Sequence, residues 1–156
     1  MEKKRINIFE WIFIGLFLAI IVSFASIQVY RAVINSDWFI EIQDKKNFTQ
    51  VTEEVNTPSN IKYIRVENNA DEYLIYDVPT ELFDDLTITD YERVDDAEQR
   101  REIFRQNCIT VFLNDDTYTS FFITDDGKLY WEIYLRCECN SLLEWYNNGE
   151  YKQADE

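Results

Sequence analysis

This chain of 156 residues contains no histidine, only three glycines and two prolines, and half as many basic as acidic residues. Without histidine there is no Ser-His-Asp or Cys-His nucleophile system, and the commonest zinc ligand is missing. Scarce glycine and proline beside 10 Tyr, 11 Phe and 4 Trp argue against a disordered acidic chain, which would lack aromatics. Three cysteines are an odd number, so at least one thiol has no partner within the chain. Of the 15 Lys and Arg, Lys3, Lys4 and Arg5 lie in the first ten residues, leaving 12; of the 30 Asp and Glu, only Glu2 and Glu10 do, leaving 28 and a balance of −16. Such a charge repels nucleic acid and anionic lipid headgroups, so no nucleic-acid partner is expected, and basic proteins or cations are the natural partners.

What is present is equally plain. Residues 11–27 form a run of seventeen without a charge, directly after the basic cluster. A helix rises about 1.5 Å per residue and the hydrocarbon core is roughly 30 Å thick, so the run with flanking Ile8, Phe9 and Tyr30 can span a bilayer. Basic residues stay on the cytoplasmic side, and only Arg31 follows the run closely. The expected topology is a cytoplasmic segment 1–10, a transmembrane helix 11–34, and the remainder outside the cell membrane. A cleavable signal competes, because Ser23 and Ala25 are small residues of the kind a signal peptidase reads, although its apolar core is usually only about 7 to 15 residues. No cysteine stands near the end of the run, which excludes lipoprotein processing. Gly15, Ala19 and Ser23 recur every four residues and line one side of the helix, a candidate face for packing a second membrane helix. Residues 2 to about 30 also resemble the start of a type IV pilin, with a basic leader and Glu10 as fifth residue if Ile6 were first. That resemblance implies a pilin-like envelope component; Arg5 stands where the family has glycine at the cut.

Residues 35–59 read as a juxtamembrane segment and linker, with a helix break at Asn35, Ser36 and Asp37 and a polar stretch over 45–60. Residues 60–149 then supply one small core, and 150–156 a polar tail. Alternation over 61–66 and 72–78 around Asn68, Asn69 and Asp71 predicts a hairpin. A short helix is expected over 79–86, a brief strand over 86–88, and a helix opened by Asp95 with Glu98 at capping-box spacing, facing inward through Val94, Ala97, Phe104 and Cys108. Residues 109–113, 117–124 and 129–137 predict a three-stranded antiparallel meander. Ser141 with Glu144 is a capping box for a closing helix over 142–146. The fold class is therefore α+β, an N-terminal transmembrane helix followed by a small antiparallel domain with two or three short helices.

Candidate sites are few. On the last predicted strand Tyr130, Glu132, Tyr134 and Arg136 share one face, an aromatic and charged set of the kind enriched in protein interfaces, with Thr119, Phe121 and Ile123 as its extension. The competing reading is that the helix after Asp95 covers that face. Cys108 could bridge to Cys137 or Cys139; alternatively all three thiols are buried, or they hold a soft metal. Four Asp pairs, Asp84-Asp85, Asp95-Asp96, Asp115-Asp116 and Asp125-Asp126, invite Ca²⁺, but each falls at a turn or helix start, where aspartate is favoured for local hydrogen bonding. Arg100, Arg101 and Arg105 form a basic cluster expected to be a solvated face, with Glu98 and Glu102 at spacing suited to ion pairs with Arg101 and Arg105. A pair of carboxylates could act on a glycan, yet nothing singles two out, so no catalytic residue, metal or cofactor is assigned. The expected function is protein binding, as a subunit of a membrane assembly or as an acidic immunity or inhibitor protein steered to a basic partner, with a divalent-cation-binding or pilin-like component as alternative.

Overall fold

A computed structural model describes residues 8–68, 71–88 and 90–152, with side chains described from Trp11 on. Lys3, Lys4 and Arg5, the side chain of Glu10, the turn residues Asn69 and Ala70, and the last four residues lie outside this description. The chain divides into two compact units, residues 1–43 and 44–156.

The first unit is helical. Helix α1 (Ile8–Ile34) contains a 24-residue stretch, Trp11–Ile34, of mean hydropathy 2.5 with none of it buried in the protein. One N-terminal helix is thus apolar enough, and at about 1.5 Å per residue long enough, to cross a membrane. The break falls where the polar residues put it: Ser36 Oγ donates to the Val33 carbonyl (2.6 Å) and accepts from the Phe39 amide (3.3 Å), so it closes one helix and caps the next. Helix α2 (Asp37–Val55) follows.

Helix α2 corrects the expected linker. Within the second unit Asp44, Phe48 and Val55 are buried and Val51 packs on the core, a stripe at spacings of three, four and seven along residues 44–55. Thr49, Thr52 and Thr57 hide their hydroxyls by donating to carbonyls four residues back. The polar residues between are the solvent face of a packed helix.

The domain is built on a six-stranded antiparallel sheet in the order β2-β1-β3-β4-β5-β6. Strands β1 (Ile61–Asn68) and β2 (Asp71–Ile75) form the predicted hairpin, and β3 (Asn107–Leu113) and β4 (Tyr118–Ile123) the first two strands of the meander. The third expected strand is two: β5 (Leu129–Trp131) reverses and returns as β6 (Leu135–Cys137), pairing Trp131 with Leu135 and Tyr130 with Arg136. Glu132 and Ile133 make the reversal at φ of 50° and 62°. Left-handed backbone costs a β-branched residue about 1–2 kcal/mol. It is held by Glu132, whose amide donates to the Ser120 carbonyl (3.0 Å) and whose carboxylate accepts from the Ser120 amide (2.9 Å).

One sheet face is sealed. Ile64, Val66, Ile109, Val111, Phe121, Leu129 and Leu135 are all but inaccessible, covered by α2, by Leu82, Phe83 and Leu86, and by helix α4 (Asn140–Asn147) with Leu142, Trp145 and Tyr146. Residues 79–86, expected as a helix, are successive turns bonded from Leu82, Asp84 and Leu86 back three residues; Thr87 makes a single bridge to Glu138 where a strand was expected. The Ser141 capping box is not used: Asp85 reaches over and accepts from the Asn140 (2.7 Å) and Ser141 (3.2 Å) amides. Nor is the start of the expected tail free of structure, because Tyr151 is buried against Tyr73, Trp145 and Tyr146.

The opposite face is only partly covered. Helix α3 (Ala97–Phe104) is capped by Asp96, whose carboxylate accepts from the Glu98 and Gln99 amides, one residue later than expected. The stripe shifts with it: Ile103 is buried with Val94, Cys108, Phe122 and Tyr130, while Ala97 and Phe104 are exposed. Phe121→Ala is expected to cost about 3–5 kcal/mol in urea denaturation, against less than about 1 kcal/mol for Phe104→Ala on the exposed side; similar costs would contradict the assignment of the faces.

Candidate interaction surface

Strand alternation decides what the second face presents. With residues 64, 66, 109, 111 and 121 turned into the sealed core, residues 63, 65, 110, 112, 118 and 120 turn the other way. Register places Tyr63 opposite Phe112, and Phe112 opposite Tyr118, while Tyr76 continues the row beyond β2. Their rings touch in sequence: Tyr76 to Tyr63 at 5.6 Å, Tyr63 stacked on Phe112 at 4.5 Å and 17°, Phe112 to Tyr118 at 5.9 Å. Tyr76 is 70% and Tyr118 65% exposed. Four aromatics thus cross the sheet where α3 does not reach.

Arg65 borders this row with its guanidinium carbon 5.3 Å from the Phe112 ring centroid and Nε 3.0 Å from Glu67 Oε1. Phe104 stands 64% exposed at the edge of α3, its ring 6.0 Å from Phe122. Such a surface offers large apolar area, phenolic hydroxyls and one oriented cation, at little cost in side-chain entropy because the rings already hold each other.

Of the residues singled out by sequence, Tyr130 and Arg136 are cross-strand partners on one face, and Glu132 and Tyr134 do not join them. Tyr130 is buried beneath α3, so the competing reading holds there. Glu132 is engaged by Ser120 and by Thr119 Oγ1 (3.3 Å). Tyr134 packs on the sealed core, its ring 5.7 Å from Trp131. Arg136 pairs with Glu92 at 2.7 Å. The supposed extension fails by parity: Thr119, Phe121 and Ile123 point into the sealed core, and Tyr118, Ser120 and Phe122 are the residues on the other face. The expected strand runs straight through the β5–β6 reversal and so adds Glu132 and Tyr134 to the side that Tyr130 and Arg136 do share.

No disulfide forms: Cys108, Cys137 and Cys139 are free and buried, Cys108 on one side of the sheet and the other two on the opposite side. Burial pushes all three thiols up, and Cys139 donates to the Leu82 carbonyl (3.4 Å) and Asp85 Oδ1 (3.3 Å). The Asp pairs are used within the fold, some across long sequence separations. Asp85 and Asp96 cap helices, Asp95 pairs with Arg93, Asp115 accepts from the Thr117 amide and hydroxyl, Asp116 pairs with Lys62, and Asp126 with Lys128. Among the described residues no group of three or more acidic, Cys or His side chains is placed to hold a metal ion. Arg100 donates to the Asp95 carbonyl (2.7 Å), and no described ion pair joins Arg101 or Arg105 to Glu98 or Glu102. Gly15 on α1 has open space where a Cβ would stand, with Ala19 and Ser23 on the same side.

A clasp missed by sequence reasoning ties α2 to the segment before α3. Asp44, 6% exposed, accepts from the Tyr91 hydroxyl (2.8 Å) and from Arg93 Nη1, and Arg93 lies over the Tyr134 ring at 4.9 Å. Nothing in the spacing of residues 44, 91 and 93 announces it. Compared with known proteins, the chain matches no family profile, no curated protein and no solved structure.

The clasp has a pH signature. Burial, then the bond to Asp44, pushes the Tyr91 hydroxyl up from 10.0 to about 12. A raised acid favours its neutral form in the fold, so its stabilising contribution is complete below the ordinary tyrosine value and is lost as pH rises through about 12. Burial raises Cys139 from 9.0 to about 12, with the same sign. Urea stability should therefore fall above about pH 9 and continue to fall toward pH 12, and Tyr91→Phe should flatten the upper half of that decline; superimposable pH profiles would contradict the clasp.

Proposed function

We propose that this is a single-pass membrane-anchored protein of the cell envelope, with a cytoplasmic N-terminus, whose acidic domain binds another protein through the open half of its sheet. The observation that carries this reading is the row Tyr76, Tyr63, Phe112 and Tyr118 with Arg65, an aromatic and arginine set left uncovered by α3. Aromatic residues and arginine are the side chains most enriched at interfaces and among their energetic hot spots. The orientation rests on the basic cluster before α1, and the charge of −16 beyond it favours a basic partner and fast, salt-sensitive encounter.

Crosslinked capture from native membranes tests this reading. Tyr63→Ala with Tyr118→Ala should lower recovery of partner protein by about tenfold or more, since truncating even one hot-spot aromatic costs about 2 kcal/mol or more. Gly15, Ala19 and Ser23 all changed to Leu should leave recovery intact. Loss of partner only in the leucine variant would move the contact to the membrane helix and make the protein a subunit held within the bilayer.

A further inference from the structure

An open sheet has two edges, and the chain treats them differently. Outside β6, the segment before α3 lies along the strand: the Arg136 amide donates to the Glu92 carbonyl (3.0 Å), the Val94 amide to the Tyr134 carbonyl (2.7 Å), and Thr87 and Glu138 exchange two bonds of 2.9 Å. Strand β2 has β1 on one side only. Among the described residues no backbone or side-chain group bonds to its outer N–H and C=O groups. Such an edge is a template whose natural complement is another strand, because only a strand satisfies successive donors and acceptors at once.

The side chains along this edge state the chemistry of the incoming strand. Asp71 is exposed at one end, on the side of Tyr73 and Ile75, and Asp77 is exposed just past the other, while Glu72, Leu74 and Tyr76 lie on the open face. A strand added about 4.8 Å away would set its own residues beside these, and would extend the aromatic row outward from Tyr76. From this edge we infer that the partner contributes an extended segment alternating basic and apolar residues, its apolar side chains beside Leu74 and Tyr76 on the open face and its cations on the other, beside Asp71 and, at the strand end, Asp77. A second copy of this chain is a poor occupant, since it brings another −16 to the same place. The inference rests on the protein-binding reading and adds its geometry: main-chain hydrogen bonds for affinity, alternate side chains for specificity.

The full chain in lipid nanodiscs is the test material, and the probe is a blocked synthetic peptide of alternating Arg and Val. Its control carries the same arginines with proline replacing valine, equal in charge but unable to pair as a strand. The valine peptide should bind about tenfold tighter than the proline peptide and slow amide hydrogen exchange over residues 71–75, and Asp71→Lys with Asp77→Lys should weaken it about tenfold without altering thermal unfolding. Equal binding of the two peptides, no binding, or binding that leaves exchange in β2 unchanged would each overturn strand addition. Protein binding itself stands or falls separately, on capture by the Tyr63 and Tyr118 variants.

Discussion

The burial of one sheet face governs the rest of this domain. Six strands alternating with period two can hide one set of side chains only if something lies over them, and the chain recruits its cover from both ends: α2 before the sheet, α4 and Tyr151 after it, with the turns around Phe83 between. Each large apolar side chain so buried contributes about 1.5–3 kcal/mol relative to exposure. The other face receives α3, eight residues over Phe122 and Tyr130, with Val94 beside it. The aromatic row is left in solvent because the available cover is used elsewhere.

Polar residues reinforce the same arrangement from a distance. Asp44 joins α2 to Tyr91 and Arg93, and Asp85 joins the turns to the start of α4. Both carboxylates act across long sequence separations, so both are invisible to local pattern. Deleting one partner of the Asp44 pair would leave a desolvated charge behind, which is why such contacts cost more to break than their presence adds. They also place the segment of residues 90–94 beside β6, closing that edge of the sheet and leaving β2 as the open one.

Strands with clean alternation and flanking turn residues were legible: the hairpin of β1 and β2, and β3 with β4, follow from period and from Asp-rich turns. The reversal at Glu132 and Ile133 was not, because neither residue advertises positive φ and the runs on either side share one hydrophobic phase. Missing that turn put Glu132 and Tyr134 on an imagined face. Helix α2 was hidden by composition, its stripe of Phe48, Val51 and Val55 diluted by threonine, lysine and glutamate. The site was legible only as a list of aromatics. Tyr63 and Phe112 become a surface once the β1–β3 register is known, and register across a crossover of nearly forty residues between β1 and β3 is a tertiary property.

Hydroxyl-radical footprinting of the tyrosines bears most directly on the claim that the open face is occupied in its native setting. The full chain would be oxidised in native membranes and again after extraction and purification. Tyr76 and Tyr118, freely accessible in the isolated protein, should be strongly protected in the membrane sample, while exposed Phe17 and Phe24 on α1 report the change of lipid environment. Equal oxidation of Tyr76 and Tyr118 in the two samples would mean that nothing covers the face, and would contradict its role as an interaction surface.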